Sequence, residues 1–253
     1  MKDVIKSFNI YEFDIFSSPG LLSDNTNQEK LLTTLHKRRL IKFIDEVTVY
    51  PVSCEKMANG RSDFEWLEAV LAGGARIVQL RDKEADGRTL YEKAKFFRKK
   101  TREADALFIV NDRVDIALLS EADGVHLGNN DLPAAAVRKL EPDLLIGVSC
   151  NTKEQVATAA SRGASYYNIG PLFTTQTKKG ISSYLGTEAI PEFSACSSLP
   201  FTVMGGIKKE HIRQLTALNA RRLAVVTALS QAENIETETK FWMEAIQKMA
   251  GKA

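Results

Sequence analysis

Gln79, Arg81 and Lys83 stand two residues apart in the run Ile77-Val78-Gln79-Leu80-Arg81-Asp82-Lys83. In an extended strand that spacing puts an amide, a guanidinium and an ammonium on one side, with Val78 and Leu80 on the other. If helices cover the apolar side, the polar side offers a fork of donors beside a cation, which suits a phosphate or pyrophosphate. The competing assignment is an internal layer of ion pairs with nearby carboxylates. Two aspartates close the next apolar runs: Asp112 follows Phe108-Ile109-Val110-Asn111, and Asp131 follows Gly124-Val125-His126-Leu127-Gly128-Asn129-Asn130. Two carboxylates beside a polyphosphate form the usual Mg²⁺ arrangement, in which the ion keeps several waters. Taken singly, each aspartate reads as a helix N-cap, and Asp131 before Leu132-Pro133 suits that role. His126 reads as a packed or hydrogen-bonded histidine rather than a base.

Three further stretches carry polar groups. Ser149, in Gly147-Val148-Ser149, offers a hydroxyl but lacks the surroundings of a nucleophile. The segment Gly170-Pro171-Leu172-Phe173-Thr174-Thr175-Gln176-Thr177-Lys178-Lys179-Gly180 is rich in hydroxyls and lysines and long enough to cover an anion. Its alternative is a solvated loop. Met204-Gly205-Gly206-Ile207 and Val225-Val226-Thr227-Ala228 end the last two apolar runs, where barrels of alternating strands and helices hold phosphate on backbone N–H groups.

The elements that position these groups are legible from about residue 47 onward. Mostly apolar runs at 47–52, 75–80, 107–111, 124–127, 144–148, 166–169, 201–204 and 223–226 alternate with amphipathic segments, as parallel strands covered by helices do. Eight such units leave a closed (β/α)8 barrel or an open doubly wound sheet. No GxGxxG follows the first strand, which favours the barrel. The 253 residues agree with the roughly 250 typical of that fold. Residues 47–253 are thus read as the catalytic barrel and residues 1–46 as a helical N-terminal extension packed on it. A capping box at Thr26-Asn27-Gln28-Glu29 starts its helix, and Leu31, Leu32, Leu35, Leu40, Ile41 and Ile44 supply its apolar face. Lys37-Arg38-Arg39 reads as a solvated face, and Trp242, Ile246 and Met249 as the packed side of the last helix.

Hydrophobic residues make up 44% and charged residues 26%, enough for a large core and a solvated surface. With 34 Lys+Arg against 32 Asp+Glu, no overall field steers the chain to nucleic acid or a membrane. No apolar run reaches the roughly 18–20 residues of a membrane span, and Met1–Lys6 lacks a secretory apolar core. Cys54, Cys150 and Cys196 form no paired motif and read as free thiols in a reducing compartment, the cytoplasm.

Taken together, QLRDK, NDR, GVHLGNND, GVS, GPLFTTQTKK, GGI and VVTA, in that order and spacing, resemble the thiamine phosphate synthase family over about residues 47–235. The resemblance implies an alkyl- or aryl-transferring transferase. It joins a pyrimidine methyl diphosphate to a thiazole phosphate, giving thiamine phosphate and pyrophosphate. It assigns Gln79, Arg81, Lys83, Asn111, Ser149 and Lys178 to the pyrimidine diphosphate, and Asp112 and Asp131 to Mg²⁺. Thr175, Thr177, Gly206, Val226 and Thr227 fall to the thiazole phosphate. Arg81, Lys83 and Lys178 are then the catalytic charges that stabilise departing pyrophosphate. The partners implied are the two small phosphorylated molecules alone, and a homo-oligomer is left open. Three features depart from the family's commoner pattern: Thr174 stands where proline is frequent, Cys150-Asn151 where alanine and histidine often follow the serine, and the leader is long. A related thiazole tautomerase on the same barrel carries histidine where this chain has Pro171.

Overall fold

The computed structural model describes residues 33–175 and 183–251. Eight short strands alternate with helices: β1 (Val49–Pro51), β2 (Ile77–Leu80), β3 (Leu107–Asn111), β4 (Gly124–Leu127), β5 (Leu145–Cys150), β6 (Tyr166–Ile169), β7 (Phe201–Met204) and β8 (Leu223–Val225). Before them lies α1 (Thr34–Glu46); between and after them lie α2 (Asp63–Ala72), α3 (Gly87–Glu103), α4 (Val114–Leu119), α5 (Ala134–Leu140), α6 (Lys153–Ala159), α7 (Ala189–Ser194), α8 (Ile212–Ala217), α9 (Thr227–Ser230) and α10 (Ile235–Ala250). All strand pairs are parallel in the order β1-β8-β7-β6-β5-β4-β3-β2. A parallel bridge between Val52 and Gln79 joins the two ends of that order. The chain folds as a (β/α)8 barrel.

Side-chain alternation divides the core into two layers. Tyr50, Ile77, Leu107, Ile109, Leu145, Tyr166 and Ala224 fill the barrel interior together with Phe43. Their strand neighbours Val49, Val78, Phe108, Val110, Ile146, Tyr167 and Leu223 pack outward against Trp66, Phe97, Val156, Leu215 and Trp242 of the helices. Trp242 and Ile246 of α10 are fully buried, and Met249 packs against the same cluster. Capping boxes at Ser62/Glu65 and Thr152/Gln155 start α2 and α6. Each satisfies backbone N–H groups that a first turn leaves unpaired.

Helix α1 braces the end where strands begin. Its N-cap is Thr33, whose hydroxyl accepts from His36 N; the Thr26–Glu29 capping box, Leu31 and Leu32 lie outside the described residues. The buried face differs from the apolar stripe expected of it. Leu35, Ile41 and Ile44 are exposed, whereas His36 and Phe43 are buried. The reason is what the helix meets: Phe43 stacks on Tyr166 with ring centroids 4.5 Å apart. The buried Arg222 guanidinium donates to Phe43 O at 2.9 Å and Ile44 O at 2.5 Å. Within the basic triplet, Lys37 and Arg38 are exposed, but Arg39 donates to Asp123 Oδ1 at 3.1 Å and Asp143 O at 2.8 Å.

His36 lies against Leu144 O (3.1 Å) and the Arg138 guanidinium (3.3 Å). Burial, and then Arg138, lower its pKa from 6.5 to about 4. The unfolded chain therefore binds a proton between those values that the folded chain refuses. Stability attributable to His36 is complete above pH 6.5 and is lost as pH falls toward 4, roughly 3 kcal/mol in all. In chemical denaturation across pH 4–7, the wild type should lose stability relative to His36→Gln by that amount; parallel curves would refute the assignment.

The three cysteines are free, and burial pushes the Cys150 thiol up to about 11. Among the described residues, no helix is long and apolar enough to cross a membrane.

Candidate active site

The C-terminal ends of the strands open on a cavity lined by Arg81, Ser149, Thr175, Gly206, Val226 and Thr227, together with His126, Asn151, Asn168 and Pro171. Six residues singled out by position in the sequence thus line one cavity. Lys178 and Thr177 lie outside the described residues. Gln79 is buried beneath the mouth, on the interior face of β2, and donates from Nε2 to Tyr50 Oη at 2.9 Å. Arg81 follows on that strand, its backbone N–H held by Ser53 Oγ at 3.0 Å.

Lys83, Asp112 and Asp131 form a charged cluster beside the cavity. Lys83 Nζ donates to Asp112 Oδ2. Asp112 N donates to the carbonyl of the cavity residue His126 at 2.8 Å, and Asn111 pairs with His126 in the β3–β4 register. Asp131 does not cap α5, whose N-cap is Pro133. Its Oδ2 instead accepts from Gly128 N at 2.7 Å, turning the carboxylate toward Asp112. Burial, and then the adjacent Asp112, raise the Asp131 pKa above its ordinary value. Two oxygen-donor groups held this close resist sharing full negative charge unless a cation joins them. The set suits a hard divalent ion such as Mg²⁺, which takes one or two carboxylates and keeps water on its other positions.

Opposite, Gly205 (φ +106°) and Gly206 (φ +63°) hold a left-handed turn after β7. A Cβ at Gly206 would meet Thr174 O at 2.3 Å, so only glycine fits this turn against the β6 loop. The same lack of a side chain lets an anion approach the backbone.

A second acidic cluster, Glu55, Asp63 and Asp82, has carboxylate oxygens within 4.8 Å of one another. Lys93 Nζ from α3 already sits among them, at 2.6 Å, 2.9 Å and 2.7 Å respectively. No pattern along the chain marks this group, because its four members come from four separate segments. Asn151 and Asn168 were also missed as cavity residues. Asn168 Oδ1 accepts from Thr202 Oγ1 at 2.8 Å, and Asn151 Nδ2 donates to Gly170 O at 2.5 Å. Their signal, a polar side chain at or just after a strand's end, is the one that flagged Ser149.

A barrel whose ionic and hydroxyl groups gather at the strand ends around a glycine turn has the layout of a (β/α)8 enzyme mouth. Residues 49–229 match the family described as thiamine monophosphate synthase. The chain belongs to that family. A thiamine-phosphate synthase of Pelotomaculum thermopropionicum is 38% identical over 205 residues, covering 81% of this chain and 94% of the relative. One of Clostridioides difficile is 38% identical over 195 residues, covering 77% and 92%. Among solved structures, the thiamine phosphate pyrophosphorylase of Pyrococcus furiosus superposes with a TM-score of 0.74 at 32% identity, covering 80% of this chain and 96% of that one.

Proposed function

We propose that this chain is a thiamine phosphate synthase, an alkyl-transferring enzyme. Its substrates are 4-amino-2-methyl-5-(diphosphooxymethyl)pyrimidine and a thiazole phosphate, and it releases pyrophosphate. The observation that carries the reading is the juxtaposition, at one barrel mouth, of the Lys83–Asp112–Asp131 cluster with a cavity bearing Arg81, Ser149 and the Gly206 turn. Family membership supports it. In this reading residues 47–253 are the catalytic barrel and residues 1–46 an extension packed on it. The enzyme works in the cytoplasm on small molecules alone.

Arg81, Lys83 and Lys178 bind the diphosphate, with Gln79, Asn111 and Ser149 on the pyrimidine side. Thr175, Thr177, Gly206, Val226 and Thr227 cradle the thiazole phosphate. Asp112 and Asp131 would hold Mg²⁺, which when bound neutralises charge on the pyrophosphate. The bond from the pyrimidine methylene to the diphosphate oxygen breaks, and both electrons leave with pyrophosphate. Arg81, Lys83 and Lys178 stabilise that departing charge. The aminopyrimidine ring donates electron density to the methylene cation, and the thiazole nitrogen lone pair then forms the new C–N bond. Such a route needs neither a protein nucleophile nor a strong base. The protein's part is to place two substrates in line and surround the leaving group with fixed charge.

Incubating the purified chain with both phosphorylated substrates and Mg²⁺ should yield thiamine phosphate and pyrophosphate in equal amounts. A folded sample that forms neither would overturn the reading.

A further inference from the structure

Five polar side chains cross the barrel interior end to end. Gln79 Nε2 donates to Tyr50 Oη at 2.9 Å. Tyr50 Oη lies 2.9 Å from Tyr166 Oη, Tyr166 Oη 3.3 Å from His126 Nδ1, and His126 Nε2 3.1 Å from Ser149 Oγ. The residues come from β2, β1, β6, β4 and β5, and the two tyrosines are fully buried. Gly147 makes room for the link: a Cβ there would stand 2.4 Å from Tyr166 Oη and 2.6 Å from His126 Nδ1.

Each phenol carries one proton, and burial pushes both still further above the ordinary tyrosine pKa. With Gln79 as the donor, that count sets one direction. Tyr50 accepts from Gln79, so its only proton goes to Tyr166. Tyr166 accepts from Tyr50, so its proton goes to His126 Nδ1. A neutral His126 must then carry its proton on Nε2 and give it to Ser149 Oγ. Ser149, having accepted, keeps its own proton to donate into the cavity that it lines. At the other end Gln79 Oε1 remains as an acceptor, with no hydrogen bond to it among the described residues. Reversing the amide would reverse every link.

We propose that Tyr50, Tyr166 and His126 are positioning residues that form a directed hydrogen-bond chain, tying the amide orientation of Gln79 to the hydroxyl orientation of Ser149. In consequence the site accepts a pyrimidine with an N–H donor at its 4-position and rejects the 4-oxo analogue, whose carbonyl would face Oε1. The specificity consequence rests on the function proposed above; the chain itself does not.

With only three histidines in the protein, ¹⁵N-histidine spectra at pH 8 can read the tautomer directly. His126 is assigned by the signal missing from His126→Gln. The wild type should show His126 as the Nε2–H tautomer. Tyr50→Phe keeps its ring but removes the link two residues away from the imidazole; it should convert His126 to a mixture of tautomers, and Tyr166→Phe should do the same. An Nδ1–H tautomer in the wild type, or a tautomer unmoved by Tyr50→Phe, would overturn the chain. In parallel, the kcat/KM ratio for the 4-amino over the 4-oxo pyrimidine diphosphate should fall at least tenfold in Tyr50→Phe. An unchanged ratio alongside a shifted tautomer overturns the specificity consequence alone. If a folded wild type turns over neither substrate, the proposed function fails while the spectra still decide the chain.

Discussion

Asp112→Asn should lower kcat on the order of 10²- to 10³-fold, the scale seen when one preorganised charge-stabilising group is removed, while thiazole phosphate binds as before. Asparagine is the informative substitution because Asp112 has φ +60°. Asparagine tolerates that left-handed conformation at least as well as aspartate, whereas alanine would add backbone strain to the loss of charge. The variant therefore removes one negative charge and little else. Lys83 loses its anionic partner and Asp131 its like-charged neighbour, so the Mg²⁺ dependence of turnover should weaken as well. Steady-state kinetics over a Mg²⁺ series, with calorimetric titration of thiazole phosphate, separate the two halves of the mouth. Equal loss of turnover and thiazole phosphate affinity would show that Asp112 belongs to the other half.

The largest stability effect should come from a residue that touches no substrate. Lys93 is almost fully buried, and its ammonium is the shared partner of Glu55, Asp63 and Asp82. Lys93→Met leaves three carboxylates facing one another, with Asp63 1% exposed on its side chain. Removing one member of a buried ionic group costs about 3–5 kcal/mol. The vacated space is ringed by oxygens close enough to hold a metal ion. Millimolar Ca²⁺ should therefore restore part of the lost stability in Lys93→Met and leave the wild type unmoved. Denaturant melts with and without Ca²⁺ read both effects; a variant as stable as the wild type would show that the cluster is held by other means. Asp82 also accepts from the backbone of Glu84 and Ala85, each at 3.0 Å. The loop carrying Arg81 and Lys83 is thus tied to this cation, and its loosening should raise the KM for the diphosphate substrate.

Much of the architecture was legible because its signals are local. The runs at 107–111, 124–127, 166–169 and 201–204 became strands with those same bounds, each an apolar block flanked by polar or turn-forming residues. The strand-end residues Arg81, Ser149, Thr175, Gly206, Val226 and Thr227 reached a common cavity because a closed barrel leaves strand ends nowhere else to go. What stayed hidden depends on contacts between distant segments. Tyr50 and Tyr166 are 116 residues apart, and each sits in a run that reads as plain core. Lys93 lies in Glu92-Lys93-Ala94-Lys95, which looks like a solvated helix face until the segments bearing its three partners fold over it. In α1 the periodicity correctly indicated a helix and the inward turn of Leu40, but not that Leu35, Ile41 and Ile44 are exposed. Phe43 and His36 were drawn inward by Tyr166 and Arg138, partners that no pattern within α1 reveals.

The brace formed by α1 lies at the opposite end of the strands from the mouth. Its bonds run to Asp123, Asp143, Leu144 and Arg222, all of them just ahead of a strand's first residue. These anchors are thus kept apart from the mouth, save that Phe43 rests on Tyr166, a member of the interior chain that reaches it. A lineage moving to hotter or more acidic surroundings could retune His36 or Arg39 one at a time, provided that Phe43 keeps its seat on Tyr166.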